Sequence, residues 1–221
     1  SIKFGMRAAP GAIEKVKIDS KTHEVVWKAI GDKVWHRAAH APGTARGICG
    51  SGIIDAVAEM YRAGVILKSG AFNRALTTPR LRPGANGKLE FVLAWADETV
   101  IGQDITVIGH DVRQIQLAKG AMYTGAKLMM QKLGITKPDK IILAGAFGSY
   151  IDKTKAMILG MIPDCEMENV YAVGNAAGDG ARMALLNRTK REEAERMARQ
   201  VEYVELSAHE DFEKEFTRSM H

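Results

Sequence analysis

The chain has 221 residues, 46% of them hydrophobic and 26% charged, with 31 basic against 26 acidic side chains and a formal charge of +5. That length gives one large domain or two small ones with a real core. No run approaches the ~18 apolar residues of a membrane span. Ser1–Val16 lacks the apolar centre of a secretory signal, and mild, dispersed positive charge with few aromatics argues against a nucleic-acid surface.

In chain order, Ile13–Ile18 alternates apolar and charged residues, and His23–Ile30 does so less strictly. With Asp19-Ser20-Lys21-Thr22 as the turn, they predict an antiparallel hairpin. Ala41–Gly52 is small and glycine-rich. Ile53–Ala63 then carries Ile54, Val57 and Tyr61 at helical spacing and closes on Gly64. Lys68–Gly87, rich in Pro, Gly and Arg, reads as a loop, and Lys68–Lys88 with Arg74, Arg80 and Arg82 is the one basic patch. It is a solvated loop or a surface for an acidic protein or a phosphate.

Leu89–Trp95 and Thr99–Ile108 read as strands separated by a turn at Ala96-Asp97-Glu98. His110–Gly134 is the clearest helix. Ile115, Ala118, Met122, Gly125, Met129 and Leu133 predict its apolar face, while Ala118, Ala121, Gly125 and Ala126 leave room for a close neighbour. Ile141–Ala144 and Val170–Val173 read as short buried strands, each breaking at glycines before a helix. Thr189–Gln200 reads as a charged surface helix, Val201–Leu206 as a strand and Asp211–Met220 as an amphipathic helix. Helix and strand alternate in this second half, which predicts an α/β fold.

Three glycine-rich corners open helices: Gly47–Gly52, Gly145-Ala146-Phe147-Gly148 and Gly174–Gly178. Free N–H groups at a helix amino end suit a phosphate or ribose oxygen. Glycine also admits close approach by a flat or anionic ligand at the carboxyl edge of a sheet. None is a phosphate loop ending in Gly-Lys-Ser/Thr, and G-x-C-G-S-G follows no evident strand, so none is a dinucleotide fingerprint. Each also serves as a plain strand-to-helix turn, the reading preferred for the third. Together the three point to a nucleotide, with Gly50, Ser51, Gly52 and Asp55 at the first corner and Gly145, Ala146, Phe147 and Gly148 at the second.

Asp55 and Glu59, one helical turn apart, suit a ribose or a magnesium-bound water. A solvated helix face is the plainer reading and the one favoured. Cys49 and Cys165 stand far apart in sequence with no C-x-x-C pair, which gives no zinc or iron–sulfur signature and fits a reducing cytoplasm. One bridge between them is compatible with the same spacing. His36, His40, His110 and His209 show no metal-ligand pattern, and no nucleophile–base pairing stands out.

Four segments in order, G-I-C-G-S-G-I-I-D (Gly47–Asp55), I-Q-L-A-K-G-A (Ile115–Ala121), L-A-G-A-F-G-S-Y-I-D (Leu143–Asp152) and V-G-N-A-A-G-D-G-A (Val173–Ala181), join G-M-R-A-A-P-G-A-I at Gly5–Ile13 and the ending around Phe212–Met220. Over nearly the whole chain they resemble the ATP-dependent reductive activators of corrinoid proteins. The resemblance implies a ribonuclease-H-like lobe of the acetate kinase, sugar kinase, heat-shock chaperone and actin superfamily, with a mixed sheet and helices on both faces. It implies ATP with magnesium in a cleft between two such lobes, adenosine at Gly145–Gly148, and the helix beginning at Ser51 as the opposite wall. It also implies return of a Co(II) corrinoid to Co(I), with the electron coming from an iron–sulfur cluster in the same polypeptide.

The chain departs from that pattern by lacking ferredoxin-like cysteines and an aspartate-glycine-threonine phosphate loop. The expectation is therefore a carboxyl-terminal lobe spanning 1–221, with 1–46 as a β-rich opening and 65–110 as an insertion. The cluster lies outside this chain, and the lobe alone is catalytically weak. Expected partners are a corrinoid protein or corrinoid methyltransferase system, with a homodimer as a further option. A docking or dimerisation module, or a lobe of a small-molecule kinase, are the competing readings.

Overall fold

The predicted hairpin is the centre of the molecule. In the computed structural model, which describes residues 1–37 and 43–220, β1 (Ala12–Ile18) and β2 (Val25–Ala29) pair antiparallel with Val16 opposite Trp27 and Ile18 opposite Val25. The turn between them forms because the Asp19 carboxylate accepts from the amides of Lys21 and Thr22 at 2.9 and 2.7 Å. β3 (His36–Arg37) extends the sheet beyond β2, and β4 (Gly47–Ile48) adds parallel to β1, giving the order β3-β2-β1-β4. His40 and Ala41 lie outside the described residues.

The helix α1 (Gly50–Arg62) lies across β1, with Gly52 through Met60 all buried. A helix buried on nearly every side belongs to the interior. It ends where Gly64 takes φ +72° and the Val65 amide reaches back to Met60 O at 2.8 Å. Trp27, Ile13, Met60, Phe91 and Leu93 are fully enclosed in the shared core.

A second, antiparallel sheet contains β5 (Leu81–Pro83), β6 (Leu89–Ala94) and β7 (Ile105–Ile108). Two expectations need correction here. The loop at Lys68–Gly87 contains the strand β5. Thr99–Ile108 is a strand only from Ile105, because Gly102 at φ +65° turns the chain and the Thr99 hydroxyl sits 3.1 and 2.9 Å from the carbonyls of Ala96 and Gln103.

α2 (Gly109–Lys132) confirms the long helix but not its face. Met129 and Leu133 are exposed, and the buried line continues through Gly120, Thr124 and Leu128. α7 (Phe212–Ser219) packs there, so close that a Cβ on Gly120 would lie 2.9 Å from Met220.

The third sheet pairs β8 (Ile141–Leu143) parallel to β9 (Val170–Ala172), in the register Leu143 opposite Ala172. Short helices α3 (Gly145–Tyr150) and α4 (Lys153–Ile158) lie between them, and α5 (Ala176–Leu186) and α6 (Arg188–Gln200) follow. Val201–Leu206 is not a strand. Its Val201 and Tyr203 are exposed and no neighbouring strand pairs with it among the described residues. β propensity without a partner does not make a strand.

Candidate functional site

At the first corner, Cys49 is the extended residue before α1, and its thiol donates to Ile13 O at 3.3 Å. The corner does follow a strand, the two-residue β4, too short to show in the sequence. Gly52 is a packing glycine, since a Cβ there would fall 1.9 Å from Ile13 O. Gly50 is different: a Cβ there meets nothing within 4 Å. It faces a cleft of about 390 Å³ lined by Gly5, Met6, Arg7, Cys49 and Ile53. The Gly5–Ile13 motif reaches this place because Phe4 and Met6 hydrogen-bond Ile48 along its backbone. The helix amino end, with Arg7 beside it, forms an anion-compatible mouth. The Ser51 hydroxyl lies 3.2 Å from Cys49 Sγ at the same turn.

The second and third corners meet each other. β8 and β9 are parallel, so both corners fall at the carboxyl ends of their strands, where open α/β sheets bind ligands. The Gly145 amide donates to Gly174 O, and the Val173 amide to Leu143 O. Gly145 takes φ +84° and faces open space, whereas a Cβ on Gly148 would strike Leu143 O at 2.2 Å. The side chains of Ala146 and Phe147 lie outside the described residues. At the third corner, Asn175 caps α5 by accepting from Gly178 N at 3.1 Å, which fits the turn reading.

Asp55 and Glu59 are not on a solvated face: they are 2% and 5% exposed. Past Ile13, no strand pairs with β1 on its β4 side among the described residues, and these carboxylates satisfy its edge. Asp55 Oδ2 accepts from Val16 N at 2.8 Å, and Glu59 Oε2 from Ile18 N at 3.0 Å. Lys155 of α4 stands between them. Its Nζ is 2.6 Å from Asp55, 3.4 Å from Glu59 and 2.8 Å from Val16 O. Burial pushes the Asp55 carboxyl above its ordinary range despite that ammonium. Burial also pushes on Glu59, but Arg62, the Ile18 amide and Lys155 together hold it below.

Lys155 was missed because a lysine in a short helix carries no sequence signal, and its partner is 100 residues away. The committed oxygens of Asp55 and Glu59 do not fit a magnesium site, and no three His, Cys, Asp or Glu among the described residues group as metal ligands. Cys49 and Cys165 are both free and buried. Each thiol points at backbone carbonyls, which does not fit a cluster.

The basic loop is largely consumed by the fold. Arg80 is 1% exposed, donates to Val92 O and Glu24, and lies over Trp95. Arg82 pairs with Glu90 and Asp104. Arg74 remains on a groove of about 1070 Å³ with Lys88, His110 and Arg113.

Residues 1–221 match the family described as the C-terminal domain of RACo, the ASKHA domain. The chain is 36% identical to the corrinoid activation enzyme RamQ of Eubacterium limosum, over 96% of this chain and 35% of that protein. It is 26% identical to the [Co(II) methylated amine-specific corrinoid protein] reductase of Methanosarcina barkeri, over 90% of this chain and 35% of that protein. A solved structure of a reductive activator for corrinoid, iron–sulfur protein superimposes with a TM-score of 0.84 at 37% identity, covering all of this chain and 34% of that one. The chain thus spans about a third of the length of these relatives. It belongs to the family of the C-terminal ASKHA domain of RACo.

Proposed function

We propose that this chain is the adenosine-side, nucleotide-binding lobe of an ATP-dependent reductive activator that returns Co(II) corrinoid proteins to Co(I). The observation that carries the reading is the meeting of the Gly145 and Gly174 corners at the carboxyl ends of two parallel strands, with open space over Gly145. The names of the relatives support the corrinoid substrate. In this reading the Gly145–Gly148 backbone takes the adenosine. Gly50 and Ser51, with Arg7 beside them, receive its polar or anionic end. Gly52 and Asp55 act behind the site, the first seating α1 on β1 and the second tying it to Lys155. Binding of ATP shifts the activator between two states only as far as its affinities for them differ, and a net uphill reduction also draws on the free energy of ATP hydrolysis.

No step is assigned to magnesium, since Asp55 and Glu59 are engaged by Lys155 and backbone amides, or to an iron–sulfur cluster, since Cys49 and Cys165 face backbone carbonyls. Calorimetry with a non-hydrolysable ATP analogue on the intact protein tests the site. Gly50→Val adds a side chain toward the cleft whose Cβ meets nothing within 4 Å, and a loss of affinity of about ten-fold or more is expected. Equal affinity in the variant, or no saturable binding to the wild type, rejects the assignment. A phosphorylated small acid or sugar as product would favour the kinase reading instead.

The second reading, docking of an acidic partner, is favoured by the groove that holds Arg74, Lys88, His110 and Arg113. Reversing Arg74, Lys88 and Arg113 to Glu should slow association with a corrinoid protein and flatten its salt dependence. An unchanged on-rate removes the groove from consideration. Arg80 and Arg82 are unsuitable for this test because both hold the β5–β6 region together.

A further inference from the structure

A cavity of about 220 Å³ lies between α1, α2, the end of α4 and the segment around Ile66–Gly70. It is away from all three glycine corners, none of whose residues line it. Its walls are mainly apolar, with Val57, Ile115, Met157 and Met220 among them, and Tyr61 and Gln116 add uncharged polar groups. Among the described residues, the charged groups on its lining are two lysines, Lys68 and Lys119, with no acid beside them. Lys119 is only partly exposed and has no ion-pair partner among the described residues. Its ammonium lies alongside Gly160, where a Cβ would come 3.3 Å from Lys119 Cε. The acids of α1 and α2 are engaged elsewhere: Asp55 and Glu59 with Lys155, and Asp111 with the amides of Lys3 and Ile108.

Burial lowers the affinity of Lys119 for its proton, and the like charge of Lys68 lowers it further. A half-buried cation facing a second cation over an apolar chamber lacks a counter-charge. Ligand sites of small-molecule size commonly combine this kind of apolar wall with a few convergent polar groups.

We propose that this cavity binds a small amphipathic monoanion, its acid group between Lys68 and Lys119 and its hydrocarbon part among Val57, Ile115 and Met220. The site stands independently of the nucleotide reading, because it shares no residue with the corners.

Octanoate is the probe, with octan-1-ol as its uncharged counterpart, titrated into the intact protein and followed by calorimetry and by the methionine methyl resonances. Saturable one-to-one binding is expected, with Met157 and Met220 methyl shifts. Lys119→Met should weaken octanoate by about ten-fold or more, Lys119→Arg should largely restore it, and octan-1-ol should bind more weakly than the acid. An unaltered melting temperature in Lys119→Met separates this loss from misfolding. If that variant does unfold, the Lys119→Arg and octan-1-ol comparisons still decide the matter. No saturable binding of octanoate to the wild type overturns the proposal. So does equal binding of the alcohol, or binding that shifts neither methionine.

Discussion

Helix α1 and the paired helices α5 and α6 all read as helices in the sequence, yet they meet opposite surroundings. In α1, nine consecutive residues from Gly52 to Met60 are buried, including two carboxylates. In α5 and α6, no residue is buried, and Met183, Leu185 and Leu186 are 55%, 75% and 77% exposed. Contacts of α5 and α6 are chiefly with each other. The comparison teaches that apolar periodicity defines a helix but not whether this lobe supplies its neighbour. The relatives are about three times longer than this chain.

The strongest way to sharpen the contrast is to remove the cation under α1. Lys155→Met leaves Asp55 and Glu59 buried without their shared ammonium, and should cost about 3–5 kcal/mol in denaturant unfolding. Lys190→Ala on α6 removes an exposed pair with Glu193 and should leave the unfolding midpoint essentially unchanged. Equal losses for the two variants would break the comparison.

A smaller effect is expected at α7, which occupies an intermediate position. Its Glu215 carboxyl is held below the ordinary value of 4.5, chiefly by its hydrogen bond to Lys127 on α2. A lowered folded value means that this contribution is present at neutral pH. It is lost as pH falls below 4.5 and through the folded value. Glu215→Gln should cost about 1 kcal/mol or less at pH 7 and should remove that part of the acid sensitivity from a stability profile taken between pH 7 and pH 3. An identical acid slope in wild type and variant would show that α7 is held by packing alone.

Much of the fold was legible where the pattern is local. The β1–β2 alternation, the Asp19 turn and the Gly64 stop all lie within a few residues of what they control. Legibility failed where the deciding partner is remote or absent. Thr99–Asp104 has strand-like residues, but Thr99 bonds to carbonyls of its own turn. On α2 the close contact is made by Gly120, a residue that hydrophobicity scores as blank. Asp55 and Glu59 read as solvated because the lysine that permits their burial is a hundred residues further on. At the site, the three corners were visible as glycine clusters, but only the structure separates Gly50 and Gly145, which face open space, from Gly52 and Gly148, which are filled by backbone carbonyls.

Lys155 has a consequence for how the molecule would come apart. It ties α4 to the first strand and the first helix through three oxygens while the covalent path between them runs through the Lys68–Lys88 stretch. A protease that nicks this stretch would sever the polymer but not the bolt. The two pieces would then migrate together on a sizing column until acid or denaturant loosens the buried charges.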